Sequence, residues 1–385
     1  MQGRSLLGKI REIAGARLDA LEAAQDDLPP RDNSDETASG WPMLRFSRNA
    51  MAADFEIAFN RGQYPQATEA ALVALDEIDR LENVFSAFRD ESEISQINRC
   101  AAENTVETSN EVWQLLLQCR QLSQETEGAV DITASPLWRL WGFAKRNGKV
   151  PPEAELAETL QHVGQSFVQY DETNRGIRFA REGVEISLGC IGKGAALDAA
   201  VRTLREHDIN DALLHGGRSS ISALGGRMQE HWPQTPQKAF PDHVVGELLE
   251  ATRDRGAGWS IGISHPMRQG HRLAEVRLSN ESLGTSGSQH QFFIHQGKRY
   301  SHIIDPRTGF PAEGVLMVTV IAPTAAQADA LSTAFFVLKP EQTADYCRRH
   351  PGVAAMLVLP SERGNDCRIL HFGFENNQIR FFRQG

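Results

Sequence analysis

One short run of glycines places the strongest constraint on the fold. Residues 187–194 read Ser-Leu-Gly-Cys-Ile-Gly-Lys-Gly and lead into an alanine-rich segment that ends at Glu206. The spacing predicts that a strand ends among the glycines and that a helix begins with Lys193 in its first turn. Glycines let a ligand approach the backbone, and a helix N-terminus favours an anion, so the run fits a phosphate site. A tight structural turn fits it as well, since the run is neither a Walker A motif nor GxGxxG.

Helical and extended segments follow one another along the rest of the chain in no fixed order. Apolar residues recur at helical spacing in residues 66–88 and 112–122, and residues 325–338 predict a further helix. Strands are predicted for residues 43–60, 211–214, 219–224, 259–264 and 315–322. The pattern has neither a strict βαβ rhythm nor an internal repeat. The sequence therefore predicts an α+β fold, with mixed sheets packed against helices.

Composition divides the chain into three segments. Residues 1–24 predict an amphipathic helix, and a docked helix fits better than a membrane anchor because its polar face mixes acids with bases. Residues 25–41 are rich in Asp, Pro, Ser and Gly and predict a flexible linker. Residues 42–385 form the predicted folded domain, in which the polar residues 226–257 predict a surface excursion.

Charge and cysteine usage argue against several classes of protein. The formal net charge is -10, whereas a nucleic-acid binder needs a basic surface. The five cysteines lie far apart without a CxxC pair, which suits neither a disulfide framework nor a zinc site. No apolar run approaches the roughly 18 residues of a membrane-spanning helix, and the first residues lack the apolar core of a secretory signal. We therefore expect a cytoplasmic protein, with peripheral membrane association as the alternative.

Two polar clusters near the C-terminal end are candidates for chemistry. Residues 300–309 bring His302, Asp305 and an arginine into one turn, which suits a polyanion, although a lone histidine is more often structural. Asp329 and Thr333 are four residues apart and share one helix face. A carboxylate beside a hydroxyl suits Mg²⁺, and a solvated Asp near a helix start is the alternative reading.

Three other segments carry weaker signals. Residues 285–288 read Thr-Ser-Gly-Ser and predict a turn, which either donates hydrogen bonds to a pyrophosphate or is simply a loop. Residues 128–143 stand out only by composition and read as core aromatics around a Gly-Ala-Val-Asp run. Residues 88–98 read as a polar loop.

The order of the motifs resembles the ApbE family of FAD:protein FMN transferases. From about residue 43 to about residue 338 the chain carries AM-x-x-x-FEI, SEIS-x-x-N, GA-x-D, PL-x-x-LWGF, LG-x-I-x-KG, L-x-x-GG, TSG, YSHIIDPRTG and APTAAQADALST. The last two motifs are the most specific. The resemblance implies an FAD cleft between two subdomains. It also implies Mg²⁺-dependent transfer of FMN from FAD to a Thr or Ser hydroxyl of an acceptor flavoprotein, with release of AMP.

The resemblance also implies roles for individual residues. Asp329, Thr333 and the backbone carbonyl of Gly192, where the family usually has alanine, match its Mg²⁺ ligands. His302 and Asp305 match catalytic positions beside the diphosphate, with His302 as the proton acceptor for the incoming hydroxyl. The positions that match the lining of the FAD pocket are Met51, Glu93, Trp141, Lys193, Asp198, Ser286 and Gly287.

Besides Gly192, five positions depart from the family pattern. Ser187 replaces an acid, Cys190 replaces a glycine, and Ala195 replaces an aromatic residue that packs near the flavin. Arg218 and Ser288 stand where the family has or often has an acid. Two alternatives therefore stay open. One is an Mg²⁺-dependent FAD pyrophosphatase, in which water replaces the acceptor hydroxyl, and the other is an FAD-binding protein without catalysis.

Overall fold

One large antiparallel sheet and three small sheets organise the protein. The computed structural model describes residues 42–227, 258–288, 291–361 and 366–382. The strands in this part are β1 Met43–Ala50, β2 Ala53–Asn60, β3 Val106–Glu107, β4 Val168–Asp171, β5 Gly176–Phe179, β6 Ala212–Gly216, β7 Ser220–Leu224, β8 Trp259–Ser264, β9 Arg272–Leu278, β10 Glu281–Gly287, β11 Phe292–His295, β12 Lys298–Ser301, β13 Met317–Ala322, β14 Ala354–Pro360, β15 Cys367–Phe372 and β16 Ile379–Phe381.

The large sheet has the order β1-β2-β6-β7-β10-β13-β14-β15, and every neighbouring pair in it is antiparallel. The small sheets are β11-β12, β16-β9-β8 and β3-β5-β4. Strand β13 is buried on both faces, since Val318 and Val320 enter one hydrophobic core while Met317 and Ile321 enter another. This alternation follows from the two-residue period of a strand.

The helices in the described residues are α1 Ala67–Phe85, α2 Glu93–Cys100, α3 Asn110–Glu125, α4 Ser135–Leu140, α5 Glu153–Leu160, α6 Gly192–Glu206, α7 Ala325–Val337 and α8 Pro340–Arg349. Short 3₁₀ turns lie at Phe143–Lys145 and Gln165–Phe167. None of these helices is long and apolar enough to cross a membrane. Strands and helices of this kind confirm the predicted α+β class.

Helix α7 lies at the centre of the packing. It is buried around most of its circumference and contacts α6, β10 and β13. Two glycines allow this close approach. A Cβ on Gly194 of α6 would lie 2.2 Å from the carbonyl oxygen of Ala325, and one on Gly284 of β10 would lie 2.4 Å from that of Ala328. Since both contacts are with the backbone of α7, any larger residue would force the helix to move.

Asp198 fixes the start of α7 from the neighbouring helix. Its two carboxylate oxygens accept hydrogen bonds from the backbone N–H groups of Ala325 and Ala326, at 2.8 and 2.9 Å. The first N–H groups of a helix have no partner within the helix, so a carboxylate there acts as a cap. Asp198 therefore joins α6 to α7 one turn before Asp329.

The structure corrects three of the local expectations. Residues 285–288 were expected to form a turn, but residues 285–287 belong to β10, which pairs with β13 and β7. The expected polar loop at residues 88–98 contains the start of α2, which Ser92 caps by accepting from the N–H of Ser95. The residues before Gly189 run into α6 without forming a strand. Pairing with β13 and β7 decides the structure of residues 285–287, and a short-range pattern does not reveal such partners.

Other boundaries agree with the expectations. Residues 43–60 form the β1–β2 hairpin, and the predicted helices at residues 66–88, 193–206 and 325–338 correspond to α1, α6 and α7. The amphipathic helix expected at residues 1–24 and the linker at 25–41 lie outside the described residues, as does most of the surface excursion expected at 226–257.

We expect Gly284→Ala to lower the free energy of unfolding by about 1–3 kcal/mol, because the new methyl group requires α7 to shift. Urea denaturation followed by circular dichroism measures this loss. The matched control is Gly287→Ala in the same strand, where the atom nearest to an added Cβ is 3.6 Å away. Equal losses for the two variants would contradict the packing described for α7.

Burial raises the pKa of Asp198 to about 6, although two backbone N–H groups donate to it. The unfolded carboxyl titrates near pH 4, so between about pH 4 and 6 the folded protein holds more protons than the unfolded chain. Stability contributed by Asp198 is present at low pH and is lost as the pH rises through this window. We expect the difference in unfolding free energy between wild type and Asp198→Ala to shrink by on the order of 3 kcal/mol from pH 4 to 7. A difference that grows with pH would contradict this.

Candidate functional site

A cavity of about 530 Å³ opens where α7, β10 and the turn before α6 meet residues 302–306. Its lining is rich in hydroxyl and charged groups around an apolar floor. The residues that line it are Phe88, Ala129, Val130, Asp131, Ile132, Ala134, Ser135, Trp138, Ser187, Gly189, Cys190, Lys193, Ser219, Thr285, Ser286, Gly287, Gln291, His302, Ile303, Ile304, Pro306, Asp329, Ser332 and Thr333.

Asp329 is the buried carboxylate of this cavity. Its Oδ2 atom accepts hydrogen bonds from the backbone N–H of Gly194 at 2.9 Å and from Ser220 Oγ at 2.8 Å. The Lys193 ammonium lies 3.8 Å from the same oxygen. Burial raises the pKa of Asp329, and Lys193, Ser220 and the Gly194 N–H each oppose that rise. The N-terminus of α6 meets the carboxylate of Asp329, and the phosphate site expected there stays a prediction.

Three hydroxyl groups lie beside Asp329. Ser286 Oγ is 2.8 Å from Ser332 Oγ and 3.4 Å from Thr333 Oγ1. Thr333 Oγ1 is also 3.4 Å from the carbonyl oxygen of Asp329. Because Asp329 and Thr333 are one helical turn apart on α7, both side chains reach the same cavity, as their spacing predicts.

This donor set fits Mg²⁺. No group of three or more His, Cys, Asp or Glu side chains suited to a metal occurs among the described residues. Mg²⁺ needs no such group, since it is commonly held by one or two carboxylates, water and substrate phosphates. Asp329 Oδ1 receives no hydrogen bond from the described part of the chain, and the Thr333 hydroxyl lies on the same side of the helix. Gly192 opens α6 outside the cavity lining, and the role of its carbonyl as a ligand stays a prediction.

His302 lines the cavity and its ring orientation is fixed. Its Nδ1 atom lies 3.0 Å from the carbonyl oxygen of Gln291. A carbonyl only accepts hydrogen bonds, so His302 Nδ1 is the donor in this contact. Asp305 lies outside the cavity lining and forms a bidentate ion pair with Arg307. The Nε–Oδ1 and Nη2–Oδ2 distances are both 2.9 Å. In this structure Asp305 therefore shapes the 305–309 turn.

Four residues expected to contact FAD lie outside the cavity lining. Trp141 is buried, and its Nε1 donates to the carbonyl oxygen of Gly309 at 2.8 Å. This hydrogen bond anchors the 302–309 segment. Glu93 accepts from the N–H of Ser109. Met51 lies in the β1–β2 turn with a φ of 50°, and Asp198 caps α7. Lys193, Ser286 and Gly287, by contrast, all line the cavity.

The cavity also contains residues to which the sequence gave no role. Asp131 is half-buried and accepts from the N–H and hydroxyl of Thr133 and from the N–H of Gln165, yet burial still raises its pKa. Ser219 and Trp138 join the lining, and Phe88 stands exposed at its mouth. Only the composition around residues 88 and 131 drew notice to them, because contacts between distant segments carry no local signal.

The five departures from the family pattern have different positions. Ser187 and Cys190 line the cavity, and burial raises the pKa of the Cys190 thiol to about 12, so it is a neutral group there. Arg218 lies in the β6–β7 turn with a φ of 61°, outside the lining. Ala195 follows Gly194 in α6, and Ser288 is buried just after β10.

The fold and the cavity define an α+β protein that offers a lysine, a buried carboxylate and several hydroxyls to a phosphate-bearing ligand. The comparisons with known proteins agree with this class. The model of the ApbE family matches residues 51–357, so the chain belongs to the ApbE family, and it is a transferase.

Several relatives and solved structures support this membership. The FAD:protein FMN transferase of Treponema pallidum is 31% identical over 301 residues, which are 75% of this chain and 78% of that protein. The enzyme of the same name from Haemophilus influenzae is 29% identical over 288 residues, covering 73% and 75%. The crystal structure of the ApbE protein from Thermotoga maritima has a TM-score of 0.70 at 29% identity, covering 85% of this chain and 96% of that one.

We expect Lys193→Ala to weaken FAD binding by on the order of 1.5–3 kcal/mol, because a charge-assisted contact to phosphate is lost. Fluorescence titration of FAD into the purified protein measures the dissociation constant. Lys339→Ala is the control, since Lys339 is exposed at the far end of α7. An unchanged dissociation constant for Lys193→Ala would remove this residue from the FAD site.

Proposed function

We propose that the protein transfers FMN from FAD to a Thr or Ser hydroxyl of an acceptor flavoprotein, releases AMP and requires Mg²⁺. The observation that carries the proposal is the cavity in which Lys193, the buried Asp329 carboxylate and the hydroxyls of Ser286 and Thr333 meet. Cleaving a pyrophosphate requires that negative charge on its oxygens be neutralised. The Lys193 ammonium carries one positive charge, and the Asp329 carboxylate with the Thr333 hydroxyl suits a bound cation that would supply more. The names of the relatives supply the nucleotide, the transferred group and the class of acceptor.

Residues of the cavity have two roles in this proposal, which are to bind the phosphate and the cation and to accept a proton. Lys193 would bind phosphate oxygen, while Asp329 and Thr333 would hold the cation, with the Gly192 carbonyl as a further expected ligand. When bound, Mg²⁺ would neutralise charge on the pyrophosphate oxygens.

In the proposed reaction, His302 accepts the proton of the acceptor hydroxyl. The acceptor hydroxyl oxygen forms a bond to the phosphorus of the FMN half, and the bond from that phosphorus to the bridging oxygen breaks. AMP leaves with the bridging oxygen. The hydroxyl proton passes to Nε2 of His302, while Nδ1 donates to the Gln291 carbonyl.

Chromatography and mass spectrometry test the proposal. Purified protein is incubated with FAD, Mg²⁺ and acceptor peptides containing Thr or Ser, with and without EDTA. We expect AMP release matched by an FMN-sized mass gain on a peptide, both abolished by EDTA. Free FMN with AMP, in the presence of every acceptor, would instead identify a pyrophosphatase. FAD that binds and stays intact would identify a binding protein without catalysis.

We expect Asp329→Ala to abolish Mg²⁺-dependent turnover while the protein stays folded, because the change removes a metal ligand and little of the core. Turnover is measured as AMP release, and folding is checked by circular dichroism. Asp345→Ala is the control, since Asp345 forms exposed ion pairs on α8. Turnover of Asp329→Ala at the wild-type rate would refute the metal-ligand assignment.

A further inference from the structure

Ser220 is buried at the start of β7 and is directed at Asp329. Its Oγ donates to Asp329 Oδ2 at 2.8 Å, although the two residues are far apart in the sequence. Both strands that flank it place a glycine opposite, Gly216 on β6 and Gly284 on β10. The space beside these two glycines is occupied by α7, which packs onto Gly284, and by the ring of Phe55 at Gly216.

The two oxygens of Asp329 have different surroundings. Oδ2 accepts from the Gly194 N–H and from Ser220 Oγ, and two donors use both lone pairs that a carboxylate oxygen offers to hydrogen bonds. Oδ1 receives no donor from the described part of the chain. The Ser220 hydroxyl thus fixes the rotation of the carboxylate and leaves Oδ1 as the oxygen that is available to a cation.

We propose that Ser220 is a positioning residue for the metal ligand Asp329, an inference that rests on the proposed function of the cavity. Without the Ser220 hydroxyl, the Gly194 N–H alone would hold Oδ2, and the carboxylate would rotate more freely. Groups that orient a metal ligand through hydrogen bonds typically change metal affinity by roughly 10–100-fold when they are removed.

The chain offers a matched control on the same strand. Ser222 is also buried, two residues along β7, and its hydroxyl lies 2.9 Å from Ser282 Oγ. Ser222→Ala therefore removes a buried serine hydroxyl from β7 without touching Asp329. Ser220→Thr keeps a hydroxyl at position 220 while it adds one methyl group. Ser220→Cys keeps the size of the side chain and replaces the hydroxyl with a weak donor.

The test measures metal binding directly. Mn²⁺ is titrated into each purified variant with FAD present and acceptor absent, and free Mn²⁺ is followed by electron paramagnetic resonance. We expect the Mn²⁺ dissociation constant to rise about 10–100-fold for Ser220→Ala and Ser220→Cys. We expect it to stay within about threefold of wild type for Ser220→Thr and Ser222→Ala. Asp329→Ala should show no binding at this site.

A kinetic measurement separates positioning from a general loss of structure. In Ser220→Ala we expect a higher Mg²⁺ concentration for half-maximal activity, recovery of kcat at excess Mg²⁺, and an unchanged KM for FAD at that excess. A wild-type Mn²⁺ constant for both Ser220→Ala and Ser220→Cys would overturn the inference. So would an equal loss of affinity in Ser222→Ala. If wild type binds Mn²⁺ through Asp329 but transfers no FMN, the proposed function fails while the role of Ser220 stands.

Discussion

The close packing of α7 is the constraint on which the rest of the structure depends. Gly194 and Gly284 let the backbone of this helix approach α6 and β10 more closely than any side chain would allow. Asp198 fixes its first turn by accepting from two N–H groups. One turn later, Asp329 enters the cavity at a position that these contacts determine. The same contacts that stabilise the core therefore position the acidic group of the site.

The chemistry of the site follows from how this carboxylate is surrounded. A buried carboxylate is unstable unless donors or cations compensate for the lost water. Here one oxygen takes donors from α6 and β7, and the Lys193 ammonium lies nearby. The other oxygen has no donor among the described residues. An arrangement of this kind suits a site that takes a cation together with a phosphate-bearing substrate, as the proposed reaction requires.

Sequence reasoning reached the fold class and part of the site. Helical periodicity located α1, α6 and α7, and the spacing of Asp329 and Thr333 correctly placed both side chains in one cavity. Residues 285–287 were missed as a strand, because pairing with β7 and β13 determines their structure. Family resemblance predicts that Trp141, Glu93, Met51 and Asp198 contact FAD, and that stays a prediction for these four residues, which lie outside the cavity lining. Ser220 carried no signal at all, since its contact with Asp329 forms only when β7 and α7 meet.

A crystal structure with FAD and Mn²⁺ tests the central claim most directly, because anomalous scattering locates the metal independently of any activity. We predict a metal peak within bonding distance of Asp329 Oδ1, with the pyrophosphate of FAD between this metal and the Lys193 ammonium. Oδ2 should keep its hydrogen bonds to the Gly194 N–H and Ser220. FAD bound in the cavity with no metal beside Asp329, or with its pyrophosphate away from Lys193, would contradict the account.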